Sequence, residues 1–363
     1  MDRPISSPGS QAAVAAWLLA CCALVFAIVV VGGITRLTHS GLSIVEWQPI
    51  VGTLPPLGEA QWAQAFAKYR LTPEFRLTNH DMTLEGFKGI FWWEYSHRLL
   101  GRLVGFVFFV PFAWFLARGR IGRALGWKLG AILLLGGLQG GLGWFMVKSG
   151  LVDDARVSSM RLASHLGLAF LIYASMLWVA LGILFPSPRR SSRSVAKLSA
   201  AVVALVFVMA LTGALVAGIR AGYAYNTFPL MNGEWVPGGM WLIDPWWMNL
   251  VHNMATVQFN HRWLAMVIVA TVATLWWRVQ RDPQADPRAR LWGHALLGAV
   301  AVQISLGIAT LLLRVPVALA ALHQCGALIV FTCAIALLQA LRGSAQADPP
   351  RSAASAGAMM SNV

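Results

Sequence analysis

The chain is 363 residues long, 58% hydrophobic and only 12% charged, about half the charged share of an ordinary soluble domain. A mean hydropathy of +0.64 and recurrent apolar runs of about 20 residues exclude a soluble globular protein and predict a polytopic helical membrane protein. The formal net charge is +14, but the basic residues cluster in short loops between apolar runs. Membrane topology explains them there, and no nucleic-acid partner is expected.

A polar lead, residues 1–13, precedes a first span from about Val14 to Arg36. No small-residue cleavage site follows it, and the apolar run continues into Val29-Val30-Val31-Gly32-Gly33, so a retained helix is expected. A long loop, 37–88, carries Trp, Pro and Gly, with a short amphipathic interfacial helix predicted from Glu59 to Tyr69. Spans two, three and four are expected at 89–117, 129–147 and 162–185. Span five, 198–219, leads into a second long loop, 220–254. Spans six, seven and eight are expected at 255–277, 291–313 and 318–341, with a tight Arg314-Val315-Pro316 turn before the last. The Ser/Ala-rich tail, 342–363, is expected to be disordered.

Loops after spans two, four and six are rich in Lys and Arg, and the intervening loops are balanced or sparse. That alternation predicts cytoplasmic termini and external long loops. The four cysteines, Cys21, Cys22, Cys325 and Cys333, all fall inside spans and read as small core residues.

The chain also reads as a duplication. His97-Arg98 matches His261-Arg262, and Gln139…Leu142-Gly143 matches Gln303…Leu306-Gly307, both 164 residues on, while His165 matches His323 at 158. The expected fold is all-α: eight transmembrane helices forming two pseudo-symmetric four-helix bundles, 14–185 and 198–341, joined by a cytoplasmic linker, 186–197.

Phe91-Trp92-Trp93-Glu94-Tyr95-Ser96-His97-Arg98-Leu99-Leu100-Gly101-Arg102 places a carboxylate, a histidine and two arginines at the start of a membrane helix. Charge in hydrocarbon is costly and marks a functional site. A lone histidine in a span usually makes an interhelical hydrogen bond. Four at repeat-related positions and one depth, His97 with His165 and His261 with His323, instead suit bis-imidazole ligation of a haem in each bundle. The glycines from Gly136 to Gly143 would clear a porphyrin or let helices pack closely, and close packing is the expectation. Arg98 and Arg262 could meet haem propionates or snorkel to lipid headgroups. Glu94 shares the His97 face, and its counterpart is the neutral Gln258. It is either an acid/base or charge-stabilising group, which would give the first bundle the chemistry, or a carboxylate paired with Arg98 or Arg102. His39, at the edge of the first loop, and His80, His252 and His294 read as structural or solvated.

These residues resemble the haem A synthase family. The matching pieces are Gly33-Ile34-Thr35-Arg36-Leu37-Thr38, Gly41-Leu42-Ser43-Ile44-Val45-Glu46-Trp47, Glu94-Tyr95-Ser96-His97-Arg98 and Ala224-Tyr225-Asn226-Thr227-Phe228-Pro229-Leu230-Met231, with the downstream histidines. The resemblance implies an oxidoreductase that converts haem O to haem A for cytochrome oxidase. The C8 methyl would be hydroxylated twice with water-derived oxygen, electrons would pass to an external acceptor, and the gem-diol would lose water. It implies haem O on His97 and His165, haem b on His261 and His323, and an essential carboxylate at Glu94. Implied partners are the haem O farnesyltransferase, cytochrome oxidase assembly factors and membrane lipid. The implied location is the cell inner membrane with the haem sites toward the periplasm. Outer-loop cysteine pairs found in some members are missing here, which excludes a thiol role in those loops. The alternative is a di-haem b-type electron carrier resembling cytochrome b561, which predicts haems near both faces.

Overall fold

The computed structural model describes residues 8–47, 51–150, 157–186 and 192–342. The tail beyond Arg342, the start of the polar lead and the middle of the linker lie outside the described residues. The first span is α1 (Pro8–Leu37). The loop after it holds α2 (Glu59–Tyr69) and α3 (Pro73–Leu77). The first half continues with α4 (Leu84–Ala117), α5 (Arg123–Gly150) and α6 (Ser159–Leu184). The second half has α7 (Arg193–Gly218), a short α8 (Asn249–His252), α9 (Met254–Arg281), α10 (Pro287–Leu312) and α11 (Val317–Leu341). Among the described residues, 8 helices are long and apolar enough to cross a membrane, and the protein is an all-α, multi-pass membrane protein.

Several helices start on a side chain that satisfies a free backbone N–H. Thr83 Oγ1 accepts from Gly86 N at the head of α4, Ser192 Oγ from Val195 N at α7, and Asn253 Oδ1 from Ala255 N at α9. Asp286 caps α10 with Pro287 in its first turn. The helices overrun the expected spans, most clearly α4, which begins at Leu84 instead of 89. The extra turn is held by aromatic packing outside the apolar run: Phe87 is buried against Tyr69 and Phe66. The predicted amphipathic helix is α2, with the predicted bounds. It lies on this cluster with Trp62 against Phe87 and Phe91, and Tyr95 Oη donates to Thr53 O at 2.7 Å. The first loop is therefore a folded cap on α4. The second loop is pinned by the buried Asn249, which bonds Ile243 N and O and Trp246 O, and by Asn253.

In the first half α1 packs on α4 and α6, and α5 closes the ring between them. In the second half α7 packs on α9 and α11, and α10 closes the ring. Each pair in one half has its counterpart in the other. The halves meet through α6–α7, α1–α11 and α6–α11. This seam is apolar, with the Phe170 and Phe331 rings 5.2 Å apart. Several of its polar groups are paired across it, as hydrocarbon favours. Tyr173 Oη meets Thr332 Oγ1 at 2.8 Å, Gln339 Nε2 donates to Phe185 O at 3.1 Å, and Gln324 Nε2 of α11 donates to Val29 O of α1 beside Gly33.

At the end of α7 the seam is too tight for a side chain. A Cβ at Gly218 would lie 2.6 Å from Ser159 Cβ and 2.8 Å from its Cα, whereas one at Gly298 meets nothing within 4 Å. Gly218→Val is expected to cost about 1–3 kcal/mol and lower the thermal midpoint in detergent, with Gly298→Val near wild type. Equal melting of the two variants would show that the seam yields.

Candidate functional site

The four span histidines lie on diagonal helices of their rings, α4 with α6 and α9 with α11. His97 and His165 are within electrostatic reach of each other, as are His261 and His323. All four sit at the end of the molecule that carries the two long loops. Each imidazole rests on a glycine of the neighbouring helix. A Cβ at Gly32 would stand 2.7 Å from His97 Cε1, at Gly143 3.0 Å from His165 Cε1, at Gly213 3.3 Å from His261 Cε1, and at Gly307 2.8 Å from His323 Cε1. A side chain at Gly32 or Gly307 would displace the ring, and one at Gly143 or Gly213 would crowd it. Gly143 and Gly307 stand in the visible repeat, whereas Gly32 and Gly213 escaped sequence reasoning. Their one signal was a glycine in the outer third of an otherwise bulky span.

The rest of the α5 glycine run differs from expectation. Gly136, Gly137, Gly140 and Gly141 would meet nothing within 4 Å, so they do not pack a helix closely. The positions 164 residues on are Val300, Ala301, Ile304 and Ser305. α5 thus carries less side-chain volume at these positions than α10. Gly101 and Gly167 pack against Ile28 and Leu211.

Two repeated glutamines hold the histidine helices. Gln139 Nε2 donates to His165 O at 3.0 Å, and Gln303 Nε2 donates to His323 O at 2.9 Å. Thr212 Oγ1 lies 2.9 Å from His261 Nδ1. The Nδ1 atoms of His97, His165 and His323 are buried with no hydrogen-bond partner among the described residues. Buried orphan nitrogens point to a missing partner. No group of three His, Cys, Asp or Glu that could hold a bare metal ion exists among the described residues. Two facing imidazoles fit a metal whose other ligands arrive with it, as in a porphyrin.

Glu94 is 3% exposed. Its Oε2 accepts from Ser43 Oγ at 2.7 Å and Ile44 N at 2.8 Å, and its Oε1 accepts from Arg98 Nη2 at 2.7 Å and Nε at 3.0 Å. Arg98 also donates to Ile44 O and Glu46 O. The pair therefore clamps the first loop onto α4. Gln258 and Arg262 repeat the device in α9. Arg262 Nη2 donates to Gln258 Oε1 at 3.0 Å and Tyr225 O at 2.7 Å, Nη1 donates to Thr227 O at 2.8 Å, and Gln258 Nε2 donates to Ala221 O at 2.8 Å. Sequence reasoning had offered propionates or headgroups for the two arginines and did not foresee loop carbonyls. Arg262 Nε remains buried without a partner among the described residues.

The remaining histidines stand apart from the pairs. His39, in a left-handed conformation with φ of 54°, accepts from Arg220 Nη2 at 3.0 Å. Burial, Arg220 and Arg36 lower its pKa. His80 pairs with Asp81 in solvent, and His294 Nδ1 accepts from Trp276 Nε1. All four cysteines are free.

Residues 15–335 match the COX15-CtaA family, described as cytochrome oxidase assembly protein. The chain is 54% identical over 336 residues to the haem A synthase of Nitrosospira multiformis, covering 92% of this chain and 94% of that protein. It is 52% identical over 327 residues to the haem A synthase of Nitrosomonas eutropha, covering 89% and 92%. Against the haem A synthase of Rhodospirillum centenum it is 50% identical over 341 residues, covering 93% and 91%. The match takes in all eight spans and both histidine pairs, and the chain belongs to the COX15-CtaA family of cytochrome oxidase assembly proteins.

Proposed function

We propose that the chain is a haem A synthase, an oxidoreductase that turns the C8 methyl of haem O into a formyl group by two successive hydroxylations. Oxygen comes from water, and electrons leave to an external acceptor. The observation that carries this reading is the pair of diagonal imidazole sites at one end of the molecule, each ring seated on glycine, in a chain half identical to proteins of that name. In the alternative, a di-haem carrier moving electrons across the membrane, haems would lie near opposite faces. Both histidine pairs at the loop-bearing end favour the synthase.

In this reading the halves form two pseudo-symmetric bundles, 14–185 and 198–341, with cytoplasmic termini and sites toward the periplasm of an inner membrane, supported by the charge alternation of the loops. Haem O binds through His97 and His165 in the first bundle, whose open glycine run leaves more room. His261 and His323 would hold haem b, which when bound would supply a one-electron centre. Thr212 and Gln303 fix the rings and helices that would hold it. Arg262, whose Nε has no partner among the described residues, and Arg98 would be the cations to meet haem propionates. The Glu94 side chain accepts four hydrogen bonds, which fix its position. It lies one turn from His97 and steadies positive charge as the methyl is oxidised. Supply by the haem O farnesyltransferase and delivery to cytochrome oxidase assembly factors follow from the reaction.

Cells that make haem O should accumulate haem A when they express this chain, as read by haem extraction and chromatography. Folded protein without haem A sinks the synthase reading. Glu94→Gln should retain the haem b spectrum, because Gln258 already performs the same clamp with Arg262, yet lose about 100-fold or more in haem A formation; full activity removes Glu94 from the chemistry. Gly307→Val should disturb the His323 seat and lose haem b, as should His261→Ala. Gly143→Val should keep haem b and lose haem A. Spectra that change alike in the two glycine variants would contradict the division of labour between bundles.

A further inference from the structure

The first loop buries a second carboxyl with far fewer partners than Glu94. Glu74 stands in the first turn of α3, 5% exposed. Its side chain accepts one hydrogen bond among the described residues, from Tyr69 Oη at 3.3 Å, and Asn79 Nδ2 donates to that hydroxyl at 2.7 Å. Three titratable or charged groups face it: Tyr69 from α2, Glu94 from α4 and Arg220 from the turn after α7. Burial pushes its carboxyl up to about 7, against the pull of the Tyr69 hydrogen bond. Glu94 adds to the rise and Arg220 opposes it. Burial also raises the Tyr69 phenol, which therefore keeps its proton and acts toward Glu74 as a donor.

The two carboxyls are built for opposite tasks. Four donors occupy the Glu94 oxygens and tie them to Ser43, Ile44 and Arg98. A buried carboxyl with one long hydrogen bond takes up and gives back a proton near neutral pH, the condition for efficient proton transfer. We infer that Glu74 is the proton-exchanging carboxyl of the first bundle, moving protons between the Glu94 pocket and the solution outside the loops. This rests on the synthase reading, in which replacing C–H by C–O from water releases protons into that pocket. The step is proton transfer alone. An O–H bond breaks on pocket water as one forms on Glu74, and the Glu74 O–H then breaks to outer water, returning the carboxylate. Glu74 touches neither substrate nor iron ligand and is a positioning residue for protons.

The test uses the purified full-length holoprotein, with turnover measured against pH and the carboxyl band followed by infrared titration. Wild type should show a protonated-carboxyl band titrating near neutral pH and a turnover that falls as pH drops through the same midpoint. Glu74→Gln should keep the haem b spectrum, lose the band and the acidic limb, and turn over about tenfold or more slowly; Glu74→Asp should restore the limb. Tyr69→Phe removes the hydrogen bond that favours the anion, so both midpoints should move up together. Glu74→Gln with the wild-type limb and a rate within about twofold of it overturns the inference. So does a Tyr69→Phe variant whose infrared midpoint moves while its turnover midpoint does not. A wild type that makes no haem A refutes the synthase reading and this one with it. A wild type that does, matched by Glu74→Gln, refutes this one alone.

Discussion

Everything at the loop-bearing end depends on a ring being allowed to touch a backbone. An imidazole on a membrane helix must be both placed and partnered, because hydrocarbon offers it nothing. Here placement comes from glycine. Gly32, Gly143, Gly213 and Gly307 each give up a Cβ so that the Cε1 edge of a histidine from a neighbouring helix comes up against the chain. Partnership is left incomplete, with three Nδ1 atoms buried and unbonded among the described residues. Four glycines are thus given over to seating four rings at one end of the molecule.

The second organising device is the clamp of residue i with arginine i+4. Glu94–Arg98 and Gln258–Arg262 each draw loop carbonyls down onto a helix start. The two clamps have the same shape, since glutamate and glutamine differ by an oxygen and an amide nitrogen. They differ in charge. The glutamate recruits Ser43 and a backbone N–H, and the glutamine turns its amide outward to Ala221 O.

Local pattern carried the spans, the amphipathic α2 and the histidine pairs, because hydropathy and a repeat are written in neighbouring residues. The contacts that build the site were hidden, because they join positions far apart. Gly32 meets His97 and Ser43 meets Glu94 only after α1 has packed on α4. The α5 glycines misled for a related reason. A run of glycines reads as close packing from its composition alone, and only the neighbouring helices show that Gly136, Gly137, Gly140 and Gly141 border open space. Helix ends slipped where soluble-type packing, as at Phe87 on Tyr69, took over from hydrocarbon.

The two glycines at the outer end of α1 stand back to back with different duties. Gly32 seats His97, and Gly33 lies under Gln324, the residue next to His323, whose amide reaches Val29 O. Close-packed interiors pass displacement on instead of absorbing it. One helical step of α1 thereby sets the spacing between the two imidazole pairs, like a shared post between two frames. A shift of that post would be felt on both sides at once, so neither pair can drift without altering the gap between them.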